Sequence, residues 1–567
     1  MGHPHLLSRV SQNRNKSPGC IVSRLLQSAL FVSALWTLAD LPARAAVTFA
    51  DAVNFGTVTA FEISEASGIV ASRQNPGVLW THNDNGYPGH VFALSTNGAL
   101  LAHYFVPNVF SGDFEDIAIG PGASPQHQYI YLGDIGDNFT NRANIRVFRF
   151  PEPSVYAYQA ANPRYDAVPG WQEIVMTYPE GPFDAEALMV DPITGDLFIV
   201  TKQDPDARLY RATRAQLDAG GPIQLTFIRT MSFSGFRSVG AGDISWDGRL
   251  IAMRRNGRAW VWNRSATQTV GDALAVTGTQ APVATNELNG EGIGFHATGL
   301  GYFTTTEGFQ PPINFFKRTD SGVPRQPVVL VAPGEEWRYL DTGENAGTAW
   351  RQSTFDDSQW ASGLAQLGYG QGDERTLISY GPDDFLKNTT TYFRKQFVRG
   401  SSGTLSNLAL RVCFNDGVAV YLNGAEVFRY NLATNAAFDE PATGSFSDRQ
   451  NYWLSAPLSP ASVRVGTNTL AVELHRFAQW QPDLSFDLQL AEGAVELPAR
   501  FTGVPRLVSG SWRINISGPA GSAVTVEASD DLQGWSAAGL VTLVNGSGQF
   551  IDPASPAGGQ RFYRLRN

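Results

Sequence analysis

The sequence predicts an all-β chain: a five- or six-bladed β-propeller, then a jelly-roll β-sandwich, then a small C-terminal β-sandwich module. Three observations carry this reading. Apolar runs are short, alternating and closed by turn residues such as Asp84-Asn85-Gly86 and Asp247-Gly248, the pattern of strand after strand. A five-fold internal repeat runs from Glu65 to Arg318, and repeats of this length stack as blades. Beyond Pro324, Pro327 and Pro333 the pattern changes to strands at sandwich spacing. At 567 residues the chain exceeds a single core. The expected boundaries are 1–45 for an export signal, 46–333 for the propeller, 334–496 for the jelly roll and 497–567 for the last module.

Arg9, Arg14, Lys16 and Arg24 precede an apolar run at 25–38 and the small-residue stretch Ala43-Arg44-Ala45. This is the order of a secretory signal, with cleavage expected before Ala46. Gln27, Ser28 and Ser33 interrupt a run already short for a membrane span. The expected location is therefore extracellular, cell-surface or periplasmic, with no transmembrane segment after signal removal. Of the two cysteines, Cys20 leaves with the signal and Cys413 remains, which excludes an intramolecular disulfide in the mature chain. The net charge of −10 becomes about −14 once five basic residues and Asp40 are removed. Such acidity argues against nucleic acid as a partner and is compatible with a metal cation.

The repeat is visible when five segments are stacked on Ile69, Ile117, Leu188, Ile244 and Ile293, at intervals of 48, 71, 56 and 49 residues. Second strands follow at 78–82, 129–133, 196–202, 249–254 and 300–306. Third strands follow at 90–95, 145–151, 208–213, 259–264 and 313–318. The intervals fit four-stranded blades with an insertion in the second. Fourth strands are expected at 99–106, 172–178 and 224–231, with 58–63 completing the last blade. Residues 323–333 read as an exit linker. The sandwich strands are expected at 391–398, 408–414, 418–422, 469–475 and 484–490, and those of the last module at 512–517, 524–528 and 562–565.

In a propeller the first strand of each blade lines the channel, so the residues that begin those strands converge. Here they include Glu115, Asp116, Glu186, Asp243 and Glu291, and the second strands end near Asp84, Asp134, Asp137, Asp204 and Glu307. Converging carboxylates repel unless a cation neutralises them, and hard oxygen ligands suit Ca²⁺. The competing reading is that these acids cap turns or pair with Lys202, Arg254 and Arg255. The turn Asp134-Ile135-Gly136-Asp137-Asn138 is the first choice for a calcium loop, against the plain reading of a tight Asp/Asn turn. His82, beside Asp84, is the one histidine expected at the rim, and both are candidate ligand-binding residues. No His-Glu-x-x-His or Gly-x-Ser-x-Gly motif is present. The Gly133-Asp134-x-x-Asp137 piece lacks the histidine motifs of a dinuclear phosphoesterase.

Through Ser67-Gly68-Ile69, Trp80-Thr81-His82-Asn83-Asp84, Glu115-Asp116-Ile117-Ala118 and Glu186-Ala187-Leu188, the first half resembles secreted bacterial β-propellers related to the phytase-like esterase family. The resemblance implies a propeller, calcium and an ester or phosphoester substrate. Phe355-Asp356-Asp357-Ser358-Gln359-Trp360, Leu367-Gly368-Tyr369-Gly370 and Asp416-Gly417-Val418-Ala419-Val420-Tyr421-Leu422-Asn423-Gly424 resemble the galactose-binding-like module of bacterial extracellular proteins. Asn415 stands where that module has a second Asp. The resemblance implies carbohydrate or a cell-surface polymer as partner, with Trp480 or Tyr380 stacking on a sugar, while most tryptophans fill the core. The last segment, ending Arg561-Phe562-Tyr563-Arg564-Leu565, resembles a small β-module of exported proteins.

The leading expectation is a secreted or surface-displayed binding protein. The alternative is a calcium-dependent hydrolase of phosphoesters or esters with Glu186 as a base. A purely structural envelope protein is the third.

Overall fold

The computed structural model describes residues 47–566 except 125–126, 203–205, 233–238, 256, 288, 402–404, 406–407, 447–452, 493–499, 509–510, 518–522, 531–533, 543–546 and 553–560. The export signal expected at 1–45 lies outside the described residues, as does Asp204. Secondary structure is almost wholly strand, and no helix among the described residues is long and apolar enough to cross a membrane. Ala46–Leu497 forms one compact unit, and Pro498–Asn567 belongs to another.

The first part of the larger unit is five mainly antiparallel sheets. Their inner strands are Ala66–Ala71, Phe114–Pro121, Ala185–Val190, Ala241–Ile244 and Ile293–Phe295. Each inner strand lies beside that of the next sheet, and the fifth lies beside the first. All five are almost entirely buried, the acidic residues they carry included.

The sequence reading of the last sheet needs correction. Its fourth strand is Val53–Thr57, paired with Pro312–Lys317, and not residues 58–63. The latter stretch turns, with the Ile63 amide donating to the Ala60 carbonyl at 3.2 Å, and both Val58 and Ile63 are buried. Apolar content reported burial there, not strand.

The long second interval is a joint. After the strand Ile145–Pro151 the chain leaves its sheet, forms a 3₁₀ turn at Ala157–Ala161, and adds Arg164–Ala167 in parallel to Leu100–Phe105 of the first sheet. The excursion then packs on the sandwich. Tyr156 is buried with Cys413 and Trp453, the Tyr158 hydroxyl donates to the Asp373 carbonyl at 3.0 Å, and Arg164 pairs with Asp373 at 2.6 Å. Beside it Arg411, buried on the sandwich, donates to the Gln74 carbonyl and to Gln489, both at 2.8 Å.

The sandwich part has two six-stranded sheets sharing one apolar core, in which Phe393 stacks on Phe486 at 4.1 Å between ring centres. Val329–Val331 pairs with Leu484–Glu492, so the middle of the expected linker is an edge strand. In the C-terminal unit two three-stranded sheets enclose Ile514, Ile516, Val524, Val526, Val541 and Phe550.

Two buried aspartates tie the inner strands together. Asp116 accepts amide hydrogens from Ile117 at 2.9 Å, Leu188 at 2.9 Å and Gly242 at 3.1 Å, which belong to three different sheets. Asp243 accepts from Ile244 at 2.8 Å and Phe295 at 2.7 Å, linking the fourth sheet to the fifth. Asp116→Ala leaves three buried donors without an acceptor, and we expect it to cost about 3 kcal/mol in urea unfolding. Asp116→Asn, which keeps one carbonyl oxygen, should cost less; a loss below about 1 kcal/mol for the alanine variant contradicts this role.

Candidate functional site

Strand alternation would send only one of two consecutive residues toward the same side of the sheet. A bulge changes that at Glu115. Phe114 pairs with Asp134 and Asp116 with Gly133, so Glu115 is an extra residue in the ladder, and a bulge of this kind re-aims a side chain. Asp116 thereby reaches the neighbouring inner strands while Glu115 enters an acidic cluster. Glu186 occupies the same kind of register break in the third sheet, between Ala185 and Ala187.

One carboxylate oxygen from each of Asp84, Asp113 and Glu115 lies within 4.8 Å of the other two. Glu115 is 4 % exposed, and its carboxyl has no hydrogen bond or ion pair among the described residues. One Asp84 oxygen, Oδ1, is buried without a hydrogen-bond partner. Gly136 closes the group: its amide donates to the Asp113 carbonyl at 3.1 Å, and a Cβ there would fall 2.3 Å from Glu115 Oε1 and 2.6 Å from the Asp113 carboxyl carbon. Only glycine leaves the space between these carboxyls open.

More acids surround the cluster. Lys202 pairs with Glu186 and stands 3.8 Å from Asp184. Glu291 accepts from Ser67 Oγ at 3.4 Å and shares a hydrogen bond with Glu307. Burial, reinforced by these like charges, pushes Asp84 up to about 7, Glu115 up to about 10 and Glu291 up to about 8. Burial likewise raises Asp113, and it outweighs Lys202 in raising Glu186.

Several residues expected at the rim hold structure instead. His82 is fully buried: its Nε2 accepts the Gly68 amide at 3.2 Å and its Nδ1 lies 3.1 Å from the Asn83 carbonyl. Burial lowers it to about 4, so it is a neutral brace and not a rim ligand. Asp116 and Asp243 are the strand ties described above, and burial is the main cause that raises both carboxyls. The turn chosen as a calcium loop is saturated internally. Asp134 pairs with Arg142 at 2.8 Å and Arg146 at 2.5 Å, while Asp137 accepts the Asn141 and Arg142 amides at 3.0 and 2.8 Å. Asp134 also accepts the Asp113 amide at 2.9 Å, so it positions a cluster member. Arg254 is a structural partner, bound to Glu287 at 2.7 Å.

Of the expected ligands, Asp84 and Glu115 are therefore brought together, with Glu186 and Glu291 around them. Asp113 was missed. Its signal is the Asp113-x-Glu115 spacing, which places two acids on one side of an extended segment. On the sandwich, Trp480 is 66 % exposed on a loop whose Gln479 carbonyl accepts the Lys387 amide at 3.3 Å. Exposed Phe385, Leu386 and Phe477 lie on the same two loops. Tyr380 is engaged, its hydroxyl donating to Asp384 at 2.7 Å.

No family model matches the sequence, and no curated protein matches it. Among solved structures the chain is similar to a beta-glycosidase from Bacteroides vulgatus at 14 % identity, over 42 % of this chain and 31 % of that one, with a TM-score of 0.22. It is similar to a Bacteroides uniformis beta-glucuronidase at 14 % identity, over 42 % and 27 %, with a TM-score of 0.23. A Ruminococcus gnavus beta-glucuronidase gives 10 % identity over 42 % and 45 %, with a TM-score of 0.22. The matches span less than half of those chains, and likeness at this level carries no argument about fold or activity.

The raised carboxyls make a signed prediction. In an unfolded chain they titrate near 4, so between about pH 4 and pH 8 the folded protein holds more protons than the unfolded one. Stability is then fully present below that range and lost as pH rises through the folded values of Asp84 and Glu291. In chelator, the melting midpoint should fall from pH 5 to pH 8, and Glu115→Gln should flatten the fall. A midpoint that rises over this interval contradicts the assignment.

Proposed function

We propose that the protein is an exported binding protein in which a five-bladed β-propeller holds a divalent cation of calcium type through Asp84, Asp113 and Glu115. The observation that carries this is Glu115, a residue 4 % exposed whose carboxyl has no hydrogen-bond or ion-pair partner among the described residues, facing the Asp113 carboxyl and that of Asp84, whose Oδ1 is buried without a partner. An uncompensated buried carboxylate is costly, and a cation relieves that cost. The donor set is oxygen only, which suits calcium and disfavours softer metals. The propeller reading is supported by five sheets whose inner strands neighbour one another in sequence, the fifth lying beside the first. Export is the reading of residues 1–45, and it places the protein outside the cytoplasm, where millimolar calcium sites are common.

The sandwich is read as a jelly-roll module of carbohydrate-binding type, supported by its two six-stranded sheets and the exposed Trp480 patch. Binding is favoured over hydrolysis because a single carboxyl cluster is present among the described residues, whereas metal-assisted phosphoester hydrolysis commonly uses paired ions.

Thermal melting of the full mature chain in calcium and in chelator tests the cation site. A ligand at a hundred times its Kd adds about 2.7 kcal/mol, so calcium should raise the midpoint by a few degrees at pH 8. Asp113→Asn with Glu115→Gln should abolish the shift while raising the midpoint in chelator, because the repulsion is gone. Gly136→Ala should weaken the shift by filling the gap between the carboxyls. An unchanged midpoint in millimolar calcium overturns the proposal, as does an undiminished shift in the double variant.

A further inference from the structure

Four phenylalanines stand in solvent on the loops around this cluster: Phe61 at 74 % exposure, Phe110 at 84 %, Phe139 at 85 % and Phe309 at 74 %. Their loops are tied in pairs. The Gly308 amide donates to the Ser64 carbonyl at 2.8 Å, joining the loops of Phe309 and Phe61. The Gly136 amide donates to the Asp113 carbonyl at 3.1 Å, joining those of Phe139 and Phe110. The Asp84 amide donates to the Glu65 carbonyl at 2.8 Å, linking the cluster to the Phe61 loop. The rings therefore belong to loops that also carry or contact the three carboxyls. Exposed apolar groups on loops tied to one another in this way offer a contact surface.

Charge and coordination select what fits there. Calcium takes six to eight oxygens, and three carboxylates used singly leave at least three positions for a ligand. Three carboxylates against one divalent ion leave a net negative centre, Glu65 and the Glu291–Glu307 pair, which shares one proton, add to it, and Lys202 is already held by Glu186. Phosphate, sulfate and carboxylate ligands meet repulsion there. A neutral ligand rich in hydroxyl oxygens does not, and the C–H faces of a sugar ring pack well on aromatic rings.

We propose that this face binds a neutral glycan, whose adjacent hydroxyls complete the coordination of the cation while its apolar ring faces pack on Phe61, Phe110, Phe139 and Phe309. The inference rests on the cation reading and assigns the glycan to the propeller face, separately from Trp480 on the sandwich.

The test is retention of the full mature chain on immobilised neutral glycans and their sulfated counterparts, with calcium and with chelator. Neutral glycans should be retained at least tenfold more strongly in calcium than in chelator, with sulfated forms at least tenfold weaker. Phe110→Ala with Phe139→Ala should weaken calcium-dependent retention at least tenfold while leaving the calcium melting shift intact. Absence of calcium-dependent retention on every neutral glycan overturns the inference, as does full retention by the double phenylalanine variant or preference for sulfated forms. Loss of the calcium melting shift in the unaltered chain instead overturns the cation reading beneath it.

Discussion

The Asp116 carboxylate accepts amide hydrogens from three inner strands at once, and the geometry of the acidic mouth depends on it. Inner strands of separate sheets have no ladder hydrogen bonds between them, so side chains must register one sheet against the next. Asp116 does this for the second, third and fourth sheets, and Asp243 continues it to the fifth. Ser67 links the first sheet to the second, its hydroxyl donating to the Glu115 carbonyl at 2.7 Å. The bulge that frees Asp116 for this task is the same one that turns Glu115 into the cluster. Structural tie and candidate ligand are thus adjacent residues with one backbone cause.

Two buried glutamates show what distinguishes a structural acid from a candidate ligand. Glu152, at the joint between sheets and sandwich, gathers donors on one oxygen: Ser72 Oγ, Trp80 Nε1 at 2.9 Å and Asn75 Nδ2 at 3.3 Å, with Arg411 nearby. Glu115 is buried to a similar degree and faces carboxyls instead. A buried charge is tolerated when donors or a counter-ion compensate it. At Glu152 the protein provides three donors to Oε1 and leaves Oε2 without one, whereas at Glu115 neither carboxyl oxygen has a donor among the described residues.

The strands were legible because their apolar runs and turn residues repeat, so the spacing of Ile69, Ile117, Leu188, Ile244 and Ile293 reports five sheets directly. What the repeat could not separate was role. Asp116 and Asp243 look like Glu115 and Glu186 in sequence, yet the two aspartates are short enough to serve neighbouring amides while the glutamates reach further. Asp113 sits just outside its strand, and its spacing from Glu115 becomes informative only once the turn around Gly136 brings the two carboxyls together. The turn at Asp134 and Asp137 looked richest in ligands, but Arg142 and Arg146 from the far side of the same loop consume its charge. The 71-residue interval signalled an insertion without saying that Tyr156, Tyr158 and Arg164 dock on the sandwich.

The most direct measurement is anomalous diffraction from crystals of the mature protein soaked in a calcium-mimicking lanthanide. The account predicts a strong peak about 2.3–2.6 Å from carboxylate oxygens of Asp84, Asp113 and Glu115, and no ordered ion within the turn of Asp134 and Asp137. Saturating soaks that leave the three carboxyls without a peak, or that place the ion on the Asp134 turn, contradict it.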